Sequence, residues 1–562
     1  MKTRRLFRFT LAALALGAVS VPGSAEACGG TFCDTGPTAM PVDQTGENIL
    51  FVMSPNLVEA HIQIQYQGAP ERFAWVIPVQ ALPEFEVGSQ ILFNNLLAGT
   101  VPSFGFTTTR DDCGDSKRGA PTAGGFGAGG SGGTSGGDNG GPQVVKKQTV
   151  GAFDVTVLQG GTAAEVSSWL AANGYQQVDT APALLEHYVN AGHLFVAIKL
   201  VGGAGVDEIH PIVIRYAGSR PCVPLKLTSV AAVEDMGVRT FFLGSGRVVP
   251  ALYKHVTLNS VRIDWLNFGQ NYNQVVSRAA DSPVADGHAF VTEYAGPSNV
   301  VQSGSLFDAR WDASRFQDIA PSLVVDELTV QGLLQCSGGT CFYNHPLVKP
   351  LLETYLPRPA GIAEDAFYSC LSCYADRIDV AAWNASKFAS DFDTRIVRPG
   401  AHAAELLQKN AYLTRMFTTI SPAEMSLDPE FQLRSDLPNV SLPGMATRRI
   451  LCDDRNLFKL PSGREVMLPD LNASWPSFSD AMPWAETVEE YPAEGPPIVL
   501  LDQRSKVASE LGAYNERQGW PGSTDRSCAC RAPNSARATN GATLAVAAGL
   551  FGLVWRRRRR AR

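Results

Sequence analysis

The first regular pattern along the chain is a pair of apolar runs, residues 47–53 and 58–67, joined at Ser54-Pro55-Asn56. In the second run Ile62, Ile64 and Tyr66 alternate with His61, Gln63 and Gln65. A period of two predicts an antiparallel strand with one dry and one wet face, which places His61 toward solvent. Residues 73–79 read as a third strand and 88–97 as a helix. Phe153, Val155 and Val157 then alternate as another strand. Thr162-Ala-Ala-Glu165 has the form of a capping box, in which a hydroxyl and a carboxylate satisfy the first free amides of a helix. That helix runs through Leu170 and ends at Asn173-Gly174. Thr180, with Pro182 in the first turn, opens a second helix toward Asn190. Residues 195–201 and 211–216 read as strands, and 290–294 closes the unit. From about Ser305 the pattern turns helical, at 325–334 and at 402–418, where Leu406, Leu407, Tyr412 and Met416 fall near helical spacing. Beyond Leu437 the chain is Pro-rich and less regular.

These elements predict an α+β fold. An antiparallel-strand-rich N-terminal domain with inserted helices (28–300) precedes a more helical, disulfide-containing domain (301–520). Residues 119–141, about half glycine, have no hydrophobic period and read as a flexible insertion. No Gly-Lys-Ser/Thr follows a strand there, so a phosphate loop is excluded.

The two ends read as addresses. Lys2, Arg4 and Arg5, the apolar run 9–21 and Ala25-Glu26-Ala27 form a secretory signal peptide (1–27) with cleavage after Ala27. Cys28 would then be the first mature residue, although Ala25 and Glu26 depart from a lipobox. At the other end, Cys528-Ala-Cys530 sits in a polar spacer (521–541). A short apolar helix and an arginine cluster follow (542–562), with Arg556, Arg557, Arg558, Arg559 and Arg560 retaining the end in the membrane. This order resembles the MYXO-CTERM sorting tail of myxobacterial surface proteins. The resemblance implies a sorting protease, anchoring through Cys528 or Cys530, and membrane contact through the C-terminal helix before any processing. A plain C-terminal membrane anchor is the alternative. Either way the body is exported to the cell envelope or surface. Of the 562 residues 45% are hydrophobic and 18% charged, which excludes a disordered chain. The net charge is −7 although both ends are basic, so the body is acidic and nucleic acid is not an expected partner.

An exported chain with 11 cysteines is expected to carry disulfides. Cys28 with Cys33, Cys336 with Cys341 and Cys370 with Cys373 are close pairs, the first two in glycine-containing turns. Cys113, Cys222 and Cys452 remain, and Cys113 with Cys222 is the expected longer bridge. Cys370-Leu-Ser-Cys373 is a C-x-x-C, but no strand precedes it, so a structural bridge is expected over a redox dithiol.

Several stretches resemble an uncharacterised secreted bacterial family, the domain of unknown function 2330. They are Cys28-Gly-Gly with 41–47, His61-Ile-Gln-Ile-Gln-Tyr-Gln-Gly68, Phe73-Ala-Trp-Val-Ile-Pro-Val79, Ala231-Ala-Val-Glu-Asp-Met-Gly237, 289–294, 412–422 and Leu427-Asp-Pro429. The resemblance spans roughly Cys28 to Arg455 and implies secretion, but brings no activity.

No H-E-x-x-H or G-x-S-x-G is present, and Gly244-Ser-Gly-Arg247 reads as a strand connection. His187 and His193 do not stack on one helix face, and Asp111, Asp112 and Asp115 lack regular calcium-ligand spacing. No catalytic residue, metal or cofactor is therefore assigned. Trp75, Trp265 and Trp383 lie in apolar runs and are expected in the core. The expected role is a surface-anchored or envelope-associated protein with a non-enzymatic binding or structural function and an unknown ligand. The alternatives are a secreted hydrolase whose site has no linear motif, and a thiol–disulfide role at Cys370/Cys373.

Overall fold

The computed structural model describes residues 44–63, 74–112, 142–175, 181–230, 232–337 and 340–520. The expected signal peptide, Cys28, Cys33, Cys113, the glycine-rich tract, Cys528, Cys530 and the arginine-ended tail lie outside them.

A ten-stranded sheet organises the described residues. Its order is Ile498–Asp502, Ala485–Glu490, Lys254–Leu258, Ala289–Pro297, Tyr412–Ile420, Ala232–Gly244, Gln44–Met53, Leu57–Gln63, Ile212–Ala217, Glu84–Val87. Gln44–Met53 and Leu57–Gln63 form the expected antiparallel hairpin, with Met53 opposite Val58. Most neighbours are antiparallel; Gln44–Met53 runs parallel to Ala232–Gly244, and Lys254–Leu258 to Ala289–Pro297.

Both faces of this sheet are covered at its centre, so Ala289–Pro297 and Tyr412–Ile420 bury nearly every side chain. On one face Ile49, Phe51, Ile62, Ile214 and Phe242 pack against Trp75, Val155 and Val196 of a second, four-stranded sheet. The outer face of that second sheet is covered in turn by the helices Ala163–Ala172 and Ala181–Asn190. The first of these buries Val166, Trp169 and Leu170 at helical spacing, and the Thr162/Glu165 capping box is formed. On the opposite face of the main sheet lie Leu50, Phe241 and Leu413, packed under the helices Gln90–Thr100 and Arg398–Lys409. The layers thus run helices, sheet, sheet, helices. A helical lobe centred on Phe316, Leu351, Phe388 and Phe392 adjoins them. A small sheet of Phe106–Arg110, Ala446–Ile450, Asn456–Lys459 and Glu465–Leu468 packs with the helix Arg504–Arg517 around Trp265 and Trp475.

Several expectations are corrected. His61 does not face water: it is 1% exposed, because helices cover the face that alternation assigned to solvent. The 402–418 segment is not one helix. The helix ends at Lys409, and Tyr412–Ile420 is an interior strand of the main sheet. Residues after 437 are more regular than their prolines suggest, supplying five strands and a fourteen-residue helix. The sheet also does not stop at residue 300, since three of its strands come from beyond it. Cys222 is a free thiol, so the Cys113–Cys222 bridge is not formed; Cys452 is the disulfide-bonded one, with its partner outside the described residues. Cys336–Cys341 and Cys370–Cys373 are disulfides. No helix among the described residues is long and apolar enough to cross a membrane.

Candidate metal centre

Glu59 and His61 are two apart on the strand Leu57–Gln63, so both point to the helix-covered face. Arg215 lies directly opposite Glu59 on the neighbouring strand, and Glu86 comes from the edge strand beyond. Above them His402 projects from Arg398–Lys409, whose Ala403 and Leu406 are fixed against the sheet. One wide π-type turn, Asp393–Val397, precedes this helix. A turn of that kind shifts the phase of the next helical turns and is common at functional sites. It is pinned by the buried Arg395–Glu208 ion pair, at 2.8 Å.

These five groups converge. Glu59 Oε1 lies 2.8 Å from His61 Nε2 and 2.6 Å from His402 Nε2. Arg215 Nε donates to Glu59 Oε2 at 2.9 Å, and its Nη1 reaches Glu86 at 2.7 Å. The imidazole rings of His61 and His402 stack with centroids 5.6 Å apart. Burial pushes the Glu59 carboxyl up, but hydrogen bonds from His402, His61 and Arg215 outweigh it and hold the group well below the usual carboxylate range. Burial pushes the His61 imidazole down, with Glu59 opposing.

One contact cannot be satisfied by protons on this arrangement. His402 Nε2 lies 2.6 Å from Glu59 Oε1 and also 2.8 Å from Arg215 Nη2. A protonated Nε2 donates to the carboxylate but then meets the guanidinium donor to donor. A bare Nε2 accepts from the guanidinium but then faces the carboxylate lone pair to lone pair. Glu59, His61 and His402 each offer one ligand atom, all within 4.8 Å of one another. A cation between them would accept all three lone pairs at once. Two imidazoles and a carboxylate are a donor set suited to zinc-like ions. Arg215 is the obstacle, and Glu86 gives it another partner.

A cleft of about 620 Å³ opens beside the cluster, lined by Glu86, Thr149, Arg215, Thr394, Arg398 and His402. The helix-side ligand is therefore reachable from solvent.

Sequence reasoning assigned no metal site and read His61 as solvent-facing. The signal it had was the Glu-x-His spacing on a strand; nothing in the sequence pointed to His402, 343 residues from Glu59. The assigned residues are elsewhere. Cys336–Cys341 closes a hairpin in the helical lobe, and Cys370–Cys373 joins the ends of two short helical segments. Cys222 is pushed well above its usual pKa by burial, Asp428 and Glu430, which disfavours a nucleophilic thiolate. Asp111 is paired with Arg449 at 2.7 Å, and Asp115 lies outside the described residues. Trp75 and Trp265 are buried as expected, and Trp383 is half-buried against the helical lobe.

A family model described as "Uncharacterized protein conserved in bacteria (DUF2330)" matches residues 22–432. The chain belongs to the DUF2330 family. Glu59, His61, Arg215 and His402 all fall inside the DUF2330 region, whereas the last strands of the main sheet fall outside it. No curated protein and no solved structure matches the chain.

Proposed function

We propose that this DUF2330 protein is an exported, envelope-anchored binding protein whose ligand is a divalent transition-metal ion held by Glu59, His61 and His402. The observation that carries the metal is the double contact of His402 Nε2, which lies within hydrogen-bond distance of both a carboxylate oxygen and a guanidinium nitrogen. Zinc–nitrogen bonds of about 2.0–2.1 Å put ligand atoms roughly 3.3 Å apart around a tetrahedral ion, so the Glu59–His61 and Glu59–His402 contacts need only lengthen slightly. Arg215 then keeps Glu86 as its partner. Export is supported by the basic-apolar-small N-terminus, the Cys-spacer-apolar-arginine C-terminus, and cysteines held as disulfides.

The test is titration of the mature chain with Zn²⁺, and with Co²⁺ for its visible spectrum. One equivalent is expected to bind, and His402→Ala is expected to lose it while staying folded. A folded wild type that binds no more Zn²⁺ than His402→Ala overturns the metal reading. Export is tested by fractionating cells and sequencing the mature C-terminus; an intact precursor in the cytosol with reduced cysteines defeats it.

A secreted hydrolase is the second reading, favoured by the cleft that reaches His402. Its mark is turnover of ester or peptide substrates by the Zn²⁺-loaded protein and not by His402→Ala; binding without turnover leaves the first reading.

A further inference from the structure

A second cavity, of about 450 Å³, lies where the main sheet meets the small sheet. Its walls are largely apolar: Phe104, Val256, Ile263, Trp265 and Val291 line it. Arg247 also lines it and is only 5% exposed. A buried guanidinium is normally paired with a carboxylate. This one donates Nη1 to the Pro438 carbonyl at 3.2 Å and Nη2 to the Thr292 hydroxyl at 3.4 Å and lies 5.9 Å from the centre of the Tyr491 ring, while Nε has no hydrogen-bond partner. Among the described residues no carboxylate lies within 4.0 Å of it. Two acids line the same cavity, but both are engaged. Glu293 forms a fully buried ion pair with Arg415, and Glu489 accepts the Tyr491 hydroxyl at 3.2 Å. His255 is buried beside Arg247 and hydrogen-bonds Thr292 through Nε2, leaving Nδ1 without a partner.

We infer that this cavity binds a monocarboxylate with an apolar tail, its head against Arg247 and its tail along Phe104, Ile263 and Trp265. The carboxylate supplies the counter-charge that the fold does not. The tail fills a space of the size small-molecule sites occupy. The ligand class is that of medium-chain fatty acids and arylalkyl acids. The inference does not depend on the metal centre, which lies elsewhere on the sheet and shares no residue with this cavity.

The test uses the full mature chain and three probes: decanoate, decanol and acetate. Decanoate is expected to bind with micromolar affinity and raise the melting temperature. Decanol, without the charge, and acetate, without the tail, are each expected to bind at least tenfold more weakly. Arg247→Gln should bring decanoate down to the level of decanol. Because that change alters a buried charge, Ser462→Trp, at the exposed rim, is the second variant; it should block decanoate and leave Zn²⁺ binding intact. Equal affinity for decanoate and decanol overturns the role of Arg247. No decanoate binding by the folded wild type, or binding undiminished in Ser462→Trp, overturns the site.

Discussion

At the scale of single residues, buried histidines shape the protein's response to acid, three of them most strongly. His210, His255 and His345 have pKa values pushed down to about 3, in each case first by burial. His210 also accepts the Ala152 amide through Nε2 at 3.0 Å, a bond its cation cannot keep. The unfolded chain takes up these protons near the usual 6.5 and the folded chain only near 3. Stability is therefore full above pH 6.5 and falls as pH drops toward 3. The slope approaches about 1.4 kcal/mol per pH unit for each histidine. Urea midpoints should decline between pH 7 and pH 5, before most carboxylates titrate, and His345→Asn should make the decline measurably shallower. A profile that is level over this range contradicts the neutral assignment. His61 shows what the sequence leaves open at this scale. Alternation told which residues share its face of the strand, and correctly set His61 apart from Ile62. It could not tell that helices from distant parts of the chain cover that face.

At the scale of elements, local chemistry decided some boundaries and tertiary packing decided others. The Thr162/Glu165 box was legible because both partners lie three residues apart and act on the backbone between them. Thr162→Ala should cost about 1 kcal/mol, with faster amide exchange across Ala163–Ala172, while Thr162→Ser should restore both. An unchanged exchange rate in the alanine variant would show that packing of Trp169 and Leu170 alone holds the helix. Residues 402–418 were misread for a different reason. Tyr412–Ile420 is buried on both faces, so it carries no alternation, and Tyr412 and Met416 fell into helical spacing by accident. Its aromatic and Thr-rich composition was the better guide.

At the scale of the whole molecule, the main sheet is assembled from distant pieces of sequence. Tyr412–Ile420 sits between Ala232–Gly244 and Ala289–Pro297 and pairs with both. A chain ended at residue 400 should therefore fail to fold and should appear in the insoluble fraction. A soluble, protease-resistant product of that length would mean the two flanking strands can close without it. The candidate metal centre has the same character: Glu59 and His61 lie on an early hairpin and His402 on a helix of the second half, so no linear motif exists to be found. The overall α+β class, the opening hairpin and the local disulfides were legible because each depends on neighbours in sequence. The covering of faces and the convergence of Glu59 with His402 depend on closure of the sheet.

That strand order also imposes a timetable. Polypeptides are delivered from their N-terminus onward, yet the middle of this sheet is among the last parts to arrive. The flanking strands Ala232–Gly244 and Ala289–Pro297 keep one edge each unpaired until the strand that joins them has been made. Closure of the ten-stranded sheet therefore belongs to the last third of the chain's synthesis.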